Sequence, residues 1–169
     1  GGGYYAEYRT DDARLTIEII KEAAAHGAIS LNYMEVKDFM YDNDGKVEGA
    51  VCKDRISGDT VEIASKYVVS AAGPWVDKLR KVDNSLEGKH LFLSKGVHIV
   101  VPHERFPVHQ SVYFDVPDGR MIFAIPRHRV TYIGTTDTPY KEDINHVLTR
   151  QEDVDYLLTS VNSMFPDYI

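Results

Sequence analysis

Cysteine is almost missing from this sequence: Cys52 is the only one in 169 residues. A lone thiol excludes an internal disulfide and a cysteine-rich metal site. Positive charge is also in short supply. Nineteen Lys and Arg face 26 Asp and Glu, for a net charge of −7, which argues against a nucleic-acid-binding surface, because such surfaces need clustered cations. No apolar run approaches the roughly 18 residues of a membrane-spanning helix, and no signal peptide is visible. The seven histidines are scattered from His26 to His146. No pair has helical metal-ligand spacing, so no metal is expected. Internal repeats and low-complexity segments are absent as well.

What the chain does have is 43% hydrophobic residues, enough for a real core. Its length suits one domain or two small ones. It opens on Gly1-Gly2-Gly3 without an initiator Met and stops at Ile169 just after a helical pattern, so it is read as a piece of something longer. Residues 4–9, rich in Tyr, predict a short strand. Thr10, Asp11 and Asp12 offer N-cap chemistry for a helix to about His26, with Leu15, Ile19 and Ala23 as its apolar stripe. Gly27 suits the residue just past the helix end. Residues 28–33 predict a short apolar strand. Val36–Tyr41, Val47–Lys53 and Thr60–Ala64, joined through Asn43-Asp44-Gly45 and Ser57-Gly58-Asp59, predict a three-stranded antiparallel meander. Residues 67–72 predict a buried strand, and Gly73-Pro74-Trp75 a short helix to about Lys81. The polar stretch 83–90 is the expected crossing between domains. Beyond it, residues 91–101, 111–116, 121–125 and 130–134 read as strands. Thr149-Arg150-Gln151-Glu152 has the form of a capping box, followed by a helix with Val154, Leu157, Leu158 and Val161 on one face.

The stretch Tyr67-Val68-Val69-Ser70-Ala71-Ala72-Gly73-Pro74-Trp75 carries the clearest chemistry. Small side chains at the end of a strand let the backbone approach another group closely. Gly73 offers no side-chain cap, so backbone N–H groups at the helix start are open to a phosphate, and Pro74 gives up an N–H that would be unpaired in any case. An ordinary tight strand–helix turn explains the same residues. A helix and short strand interrupted by a meander, then a return through another strand, is unusual for a doubly wound layer.

Five blocks then carry a family resemblance: Arg9-Thr10-Asp11-Asp12-Ala13-Arg14-Leu15 after the Tyr-rich start, Ala71-Ala72-Gly73-Pro74-Trp75-Val76-Asp77, Ser94-Lys95-Gly96-Val97-His98, Gly119-Arg120-Met121-Ile122-Phe123-Ala124-Ile125-Pro126, and Ile133-Gly134-Thr135-Thr136-Asp137. In this order they resemble the aerobic, FAD-dependent glycerol-3-phosphate dehydrogenases, of the D-amino-acid-oxidase-like flavoproteins. The resemblance implies a mixed α+β and α/β fold. Residues 10–82 would be the middle of a glutathione-reductase-like FAD domain, meander included. Residues 1–9 would be the first strand of a substrate domain, 83–90 the crossover, 91–148 that domain's mixed or antiparallel sheet, covering the flavin, and 149–169 its helix.

The implied reaction is oxidation of sn-glycerol 3-phosphate to dihydroxyacetone phosphate. Hydride goes to FAD while a base takes the hydroxyl proton, and the electrons pass on to a quinone. The implied setting is a cytoplasmic enzyme peripherally attached to the membrane, in which a homodimer is an open alternative. FAD contacts carry over to Val36, where the family's backbone meets the adenine, to Ala71, Ala72 and Gly73 in the small-residue turn, and to Trp75 beside it. The family's Gly-rich first βα turn, its His-Gly-Gly-Leu-Arg-type segment, and its downstream Gly-Val-Arg-Pro and Gly-Gly-Lys segments are missing here. The fragment is therefore expected to lack the catalytic centre and to be inactive alone.

Three residues are candidates for facing the substrate. Lys95 interrupts the apolar alternation and could stabilise negative charge; a lysine at a bulge made by Gly96, its stem covering apolar surface, is the plainer reading. Arg120 could hold a phosphate with two hydrogen bonds, or be a solvated turn residue. Phe123, with Ile125 and Pro126, could line a pocket over the flavin or fill a sheet core. His98, alternating with Phe92 and Val100, is expected to pack rather than act as a base. Thr135, Thr136 and Asp137 are expected to anchor a loop, and Cys52 to be an inert thiol. Two other functions remain open: a glycerol-3-phosphate oxidase that uses oxygen, and a non-catalytic β-rich binding domain.

Overall fold

The computed structural model describes residues 1–166; the last three residues of the expected 149–169 helix lie outside them. The chain divides into two compact units, Gly1–Ala71 with Lys78–Ser85, and Ala72–Asp77 with Leu86 onward.

The first unit holds α1 (Asp12–Ala25) and the meander β1 (Met34–Tyr41), β2 (Val47–Asp54) and β3 (Thr60–Ala64), ordered β1-β2-β3 and antiparallel throughout. Asp11 caps α1 by accepting the Arg14 backbone N–H at 3.1 Å. At the other end Gly27 takes φ +87°. The Ala28 N–H reaches the Ala23 carbonyl and the Gly27 N–H the Ala24 carbonyl, which satisfies two last-turn acceptors. Tyr41 on β1 donates to Asp83 at 2.6 Å.

Three expected strands, over 4–9, 28–33 and 67–72, are absent, and residues 67–72 are not buried. Among the described residues no strand pairs with them, and a strand whose amides have no neighbour gains nothing over coil. Their apolar side chains, Tyr4, Ile29 and Tyr67 among them, stand exposed.

The second unit contains a four-stranded antiparallel sheet. It is built from β5 (His98–Pro102), β6 (Val112–Asp115), β7 (Met121–Arg127) and β8 (Val130–Gly134), ordered β5-β8-β7-β6. Two two-residue strands, β4 (Ser94–Lys95) and β9 (Thr138–Pro139), pair beside it. The expected strand over 91–101 is thus broken at Gly96-Val97. One sheet face packs against α3 (Gln151–Met164), where Ile122, Ala124, Ile133, Phe106, Leu157 and Val161 are fully buried. The capping box lies one residue later than expected: Asp153, not Glu152, reaches back to accept the Arg150 N–H at 2.8 Å. Burial explains the choice, because Asp153 also meets Lys95 under the helix, whereas Glu152 points to solvent.

Candidate functional site

The register of the sheet puts His98, Gly134, Phe123 and Tyr113 in one row across β5, β8, β7 and β6. Strand alternation turns this row away from α3, together with Val100, Tyr132 and Ile125. Gly134 sits in the middle of the row. Having no side chain, it lets the rings on either side meet, with His98 and Phe123 centroids 5.2 Å apart; a Cβ there would overlap the imidazole. Tyr132 stands edge-on to both rings, at 6.1 and 5.9 Å. Among the described residues of this unit no helix covers the face, and Val100 is 62% exposed. The result is an aromatic face of mutually tilted rings that carries one exposed imidazole. Sequence alternation put His98 on one face with Val100, as the register does, but Phe92 lies outside any strand and the imidazole expected to be packed is exposed. Alternation could not say that the His98 face would be open, and so passed over His98 as a candidate. The pairing of His98 with Gly134 is the signal, and it exists only once register is known.

Phe123 therefore belongs to this face, whereas Lys95 and Arg120 lie on the α3 side of the sheet. They line a cleft of about 360 Å³ with Thr136, Asp153 and Tyr156. Lys95 is 7% exposed and donates to Asp153 at 2.6 Å and to the Leu148 carbonyl at 3.4 Å. It is not a lysine with a solvated head; it is half of a buried ion pair. Burial opposes the Asp153 charge, but the bonds from Lys95 and the Arg150 backbone outweigh it and hold the carboxyl below its usual range. Arg120 grips Asp118 through Nε at 2.8 Å, donates to the Thr136 carbonyl, and stacks 3.7 Å above the Tyr156 ring. A guanidinium so engaged is neither a solvated turn residue nor open for two bonds to a phosphate. The expected substrate-facing set thus separates: Phe123 on one face, Lys95 and Arg120 bracing the other.

The small-residue turn is a 3-10 turn, Gly73–Trp75, running into the seven-residue α2 (Val76–Val82). The Trp75 N–H returns to the Ala72 carbonyl and the Val76 N–H to that of Gly73, so fewer donors face outward than a full helix start would offer. The phosphate reading of this helix loses its basis. The close-approach reading keeps its own: Gly73 has φ +52° and nothing within 4 Å of where a Cβ would stand. Ala71 and Val36 belong to the first unit, Val36 on β1 with its side chain partly exposed.

Thr136 anchors its loop as expected: its hydroxyl accepts the Val97 N–H and donates to the Lys95 carbonyl, both at 3.1 Å. Cys52 is buried. Among the described residues no three His, Cys, Asp or Glu side chains cluster as metal ligands do, and no helix is long and apolar enough to cross a membrane.

The family model for FAD dependent oxidoreductases matches residues 1–169. The chain is 55% identical over 168 residues to an aerobic glycerol-3-phosphate dehydrogenase of Staphylococcus haemolyticus, and 53% identical over 167 residues to that of Bacillus subtilis. Each match covers 99% of this chain and 30% of the relative, so the chain spans about a third of the relatives' length. The X-ray structure of a glycerol-3-phosphate dehydrogenase from Bacillus halodurans, complexed with FAD, is 61% identical and superposes with a TM-score of 0.92, over 97% of this chain and 33% of that one. Five ordered sequence blocks, the meander, the sheet with its helix and these similarities agree: the chain belongs to the FAD dependent oxidoreductase family.

Proposed function

We propose that this chain is a segment of a flavoenzyme that oxidises sn-glycerol 3-phosphate to dihydroxyacetone phosphate. The observation that carries the reading is the similarity, over nearly the whole chain, to dehydrogenases of that name, one of them holding FAD. Bound FAD would supply the hydride acceptor. The chain's own residues do the rest of what falls to them. Ala71, Ala72 and Gly73 let the dinucleotide approach the backbone, with Val36 at the adenine and Trp75 beside the turn. The open row Gly134-Phe123, flanked by Tyr132, lies against the flavin ring and keeps water from it. His98, the imidazole on that face, takes the C2 hydroxyl proton; imidazole suits proton transfer near neutral pH. The electrons pass to a quinone, and the enzyme works as a peripheral protein at the cytoplasmic membrane, as a homodimer. The word aerobic in the relatives' name fits a respiratory acceptor.

The test uses the full-length flavoenzyme containing this segment. Substrate alone should bleach the flavin, and a quinone should restore it without stoichiometric peroxide. Peroxide in place of quinone turnover would make it an oxidase, and no bleaching would end the reading. His98→Asn should lower kcat by at least about 100-fold with FAD content unchanged. The 169-residue segment alone, with FAD added, should not oxidise the substrate.

A further inference from the structure

Trp75, 41% exposed, donates its indole N–H to the Asn145 side-chain oxygen at 3.0 Å, tying the turn to a loop seventy residues away. That loop is built to present an acceptor there. Asn145 hands its amide N–H to Asp143 Oδ1 at 2.7 Å, while its backbone N–H donates to the same oxygen at 2.9 Å. His146 adds a contact to Asp143 Oδ2 at 2.9 Å, and the Tyr140 hydroxyl donates to the Asp143 carbonyl at 3.1 Å. The Asn145 backbone and the His146 and Asn145 side chains hold the Asp143 carboxyl down at about 2, so it is ionised and can only accept. An indole can only donate. Between an obligate acceptor and an obligate donor the Asn145 amide has one orientation, oxygen towards Trp75. Two residues further on, Asp77 accepts the Leu91 N–H at 2.9 Å. The turn Ala72–Asp77 is therefore held at two points within its own unit, by the Asn145 side chain and by the Leu91 backbone.

We propose that Asn145, oriented by Asp143, is a positioning residue for the FAD-contacting turn and acts through the Trp75 indole. The proposal rests on the assignment of that turn to FAD. The test measures FAD dissociation constants in the full-length enzyme for Asn145→Ala, Trp75→Phe and the double variant. Trp75→Phe keeps an aromatic ring and removes only the donor. Each single variant should weaken FAD by about fivefold, the worth of one neutral hydrogen bond. The double variant should be no weaker than either, since both remove the same bond. With FAD saturating, Asn145→Ala should leave KM for glycerol 3-phosphate unchanged, and its apo-protein should melt as wild type does; a loss of general stability would move both. Unchanged FAD affinity in the singles, or losses that multiply in the double, would overturn the tether. Gly73→Ala separates the two failures. If it leaves FAD affinity unaltered, the assignment of the turn itself is wrong and the tether's role falls with it. If it weakens FAD while Asn145→Ala does not, only the tether is wrong.

Discussion

Helices α1 and α3 are both 14 residues long and both carry an apolar stripe at helical spacing, yet their stripes end differently. Leu157 and Val161 of α3 are fully buried against the sheet, whereas Leu15 and Ile19 of α1 are 51% and 61% exposed. The same contrast runs through the units that contain them. The first has two buried residues, Gly49 and Cys52, and is held by meander hydrogen bonds and local caps; the second has a continuous core. Amphipathicity says which face of a helix needs cover. It does not say that the cover lies within the same stretch of chain.

The widest gap between the two helices should appear at Asp153. Asp153→Ala leaves Lys95 buried without its partner and should cost about 3–5 kcal/mol in chemical denaturation, while a Lys95→Met/Asp153→Leu double variant should recover most of that. The acid limb checks the same pair. The Asp153 carboxyl is depressed in the folded state, so its contribution is complete above the unfolded carboxyl value of about 3.9 and is lost as pH falls through the folded one. Wild type should therefore lose its advantage over Asp153→Asn as pH falls from above that range to below it. Leu157→Ala comes next, at about 2–5 kcal/mol for a truncation in a closed core; a loss under 1 kcal/mol would show that α3 packs more loosely than its burial implies.

Within the first unit the effects shrink. Tyr41→Phe removes one partly exposed hydrogen bond and should cost under about 1 kcal/mol. Its pH signature is distinctive. Asp83, followed by burial, pushes the Tyr41 hydroxyl up to about 12, so the contribution is present below about 10 and is lost as pH rises through 12. Tyr156 is also raised, by burial first, so an alkaline absorbance titration should find late tyrosines of which Tyr41→Phe removes one. Smallest of all, Ile19→Ala should change the stability of this chain by less than about 0.5 kcal/mol. A loss comparable to that of Leu157→Ala would erase the contrast between the helices.

Local chemistry was the legible part of the fold. Asp11 and Gly27 bracket α1 as their side chains and backbone freedom require, and Asn43-Asp44-Gly45 and Ser57-Gly58-Asp59 turn the meander where they stand. Reading failed where an outcome depended on a distant neighbour. The capping box slipped by one residue because Lys95, 58 positions from Asp153, drew that carboxylate inward. The segments over 28–33 and 67–72 have the composition of strands but, among the described residues, no strand to pair with. Of the site, the small-residue turn and Phe123 were visible as residue types. The division of Lys95 and Arg120 from Phe123 was not, because all three sit in strands or turns whose two faces look alike until a helix covers one of them.

Spacing, caps and turn residues thus settled where most helices and hairpins run, since those depend on interactions within a few residues. Ordered motifs settled the family. Which face of the sheet stays open, which charges pair beneath α3, and which side chain holds Trp75 were decided by packing between segments 25 to 70 residues apart. Burial and hydrogen bonding are properties of the neighbour that arrives, and no side chain carries that information alone.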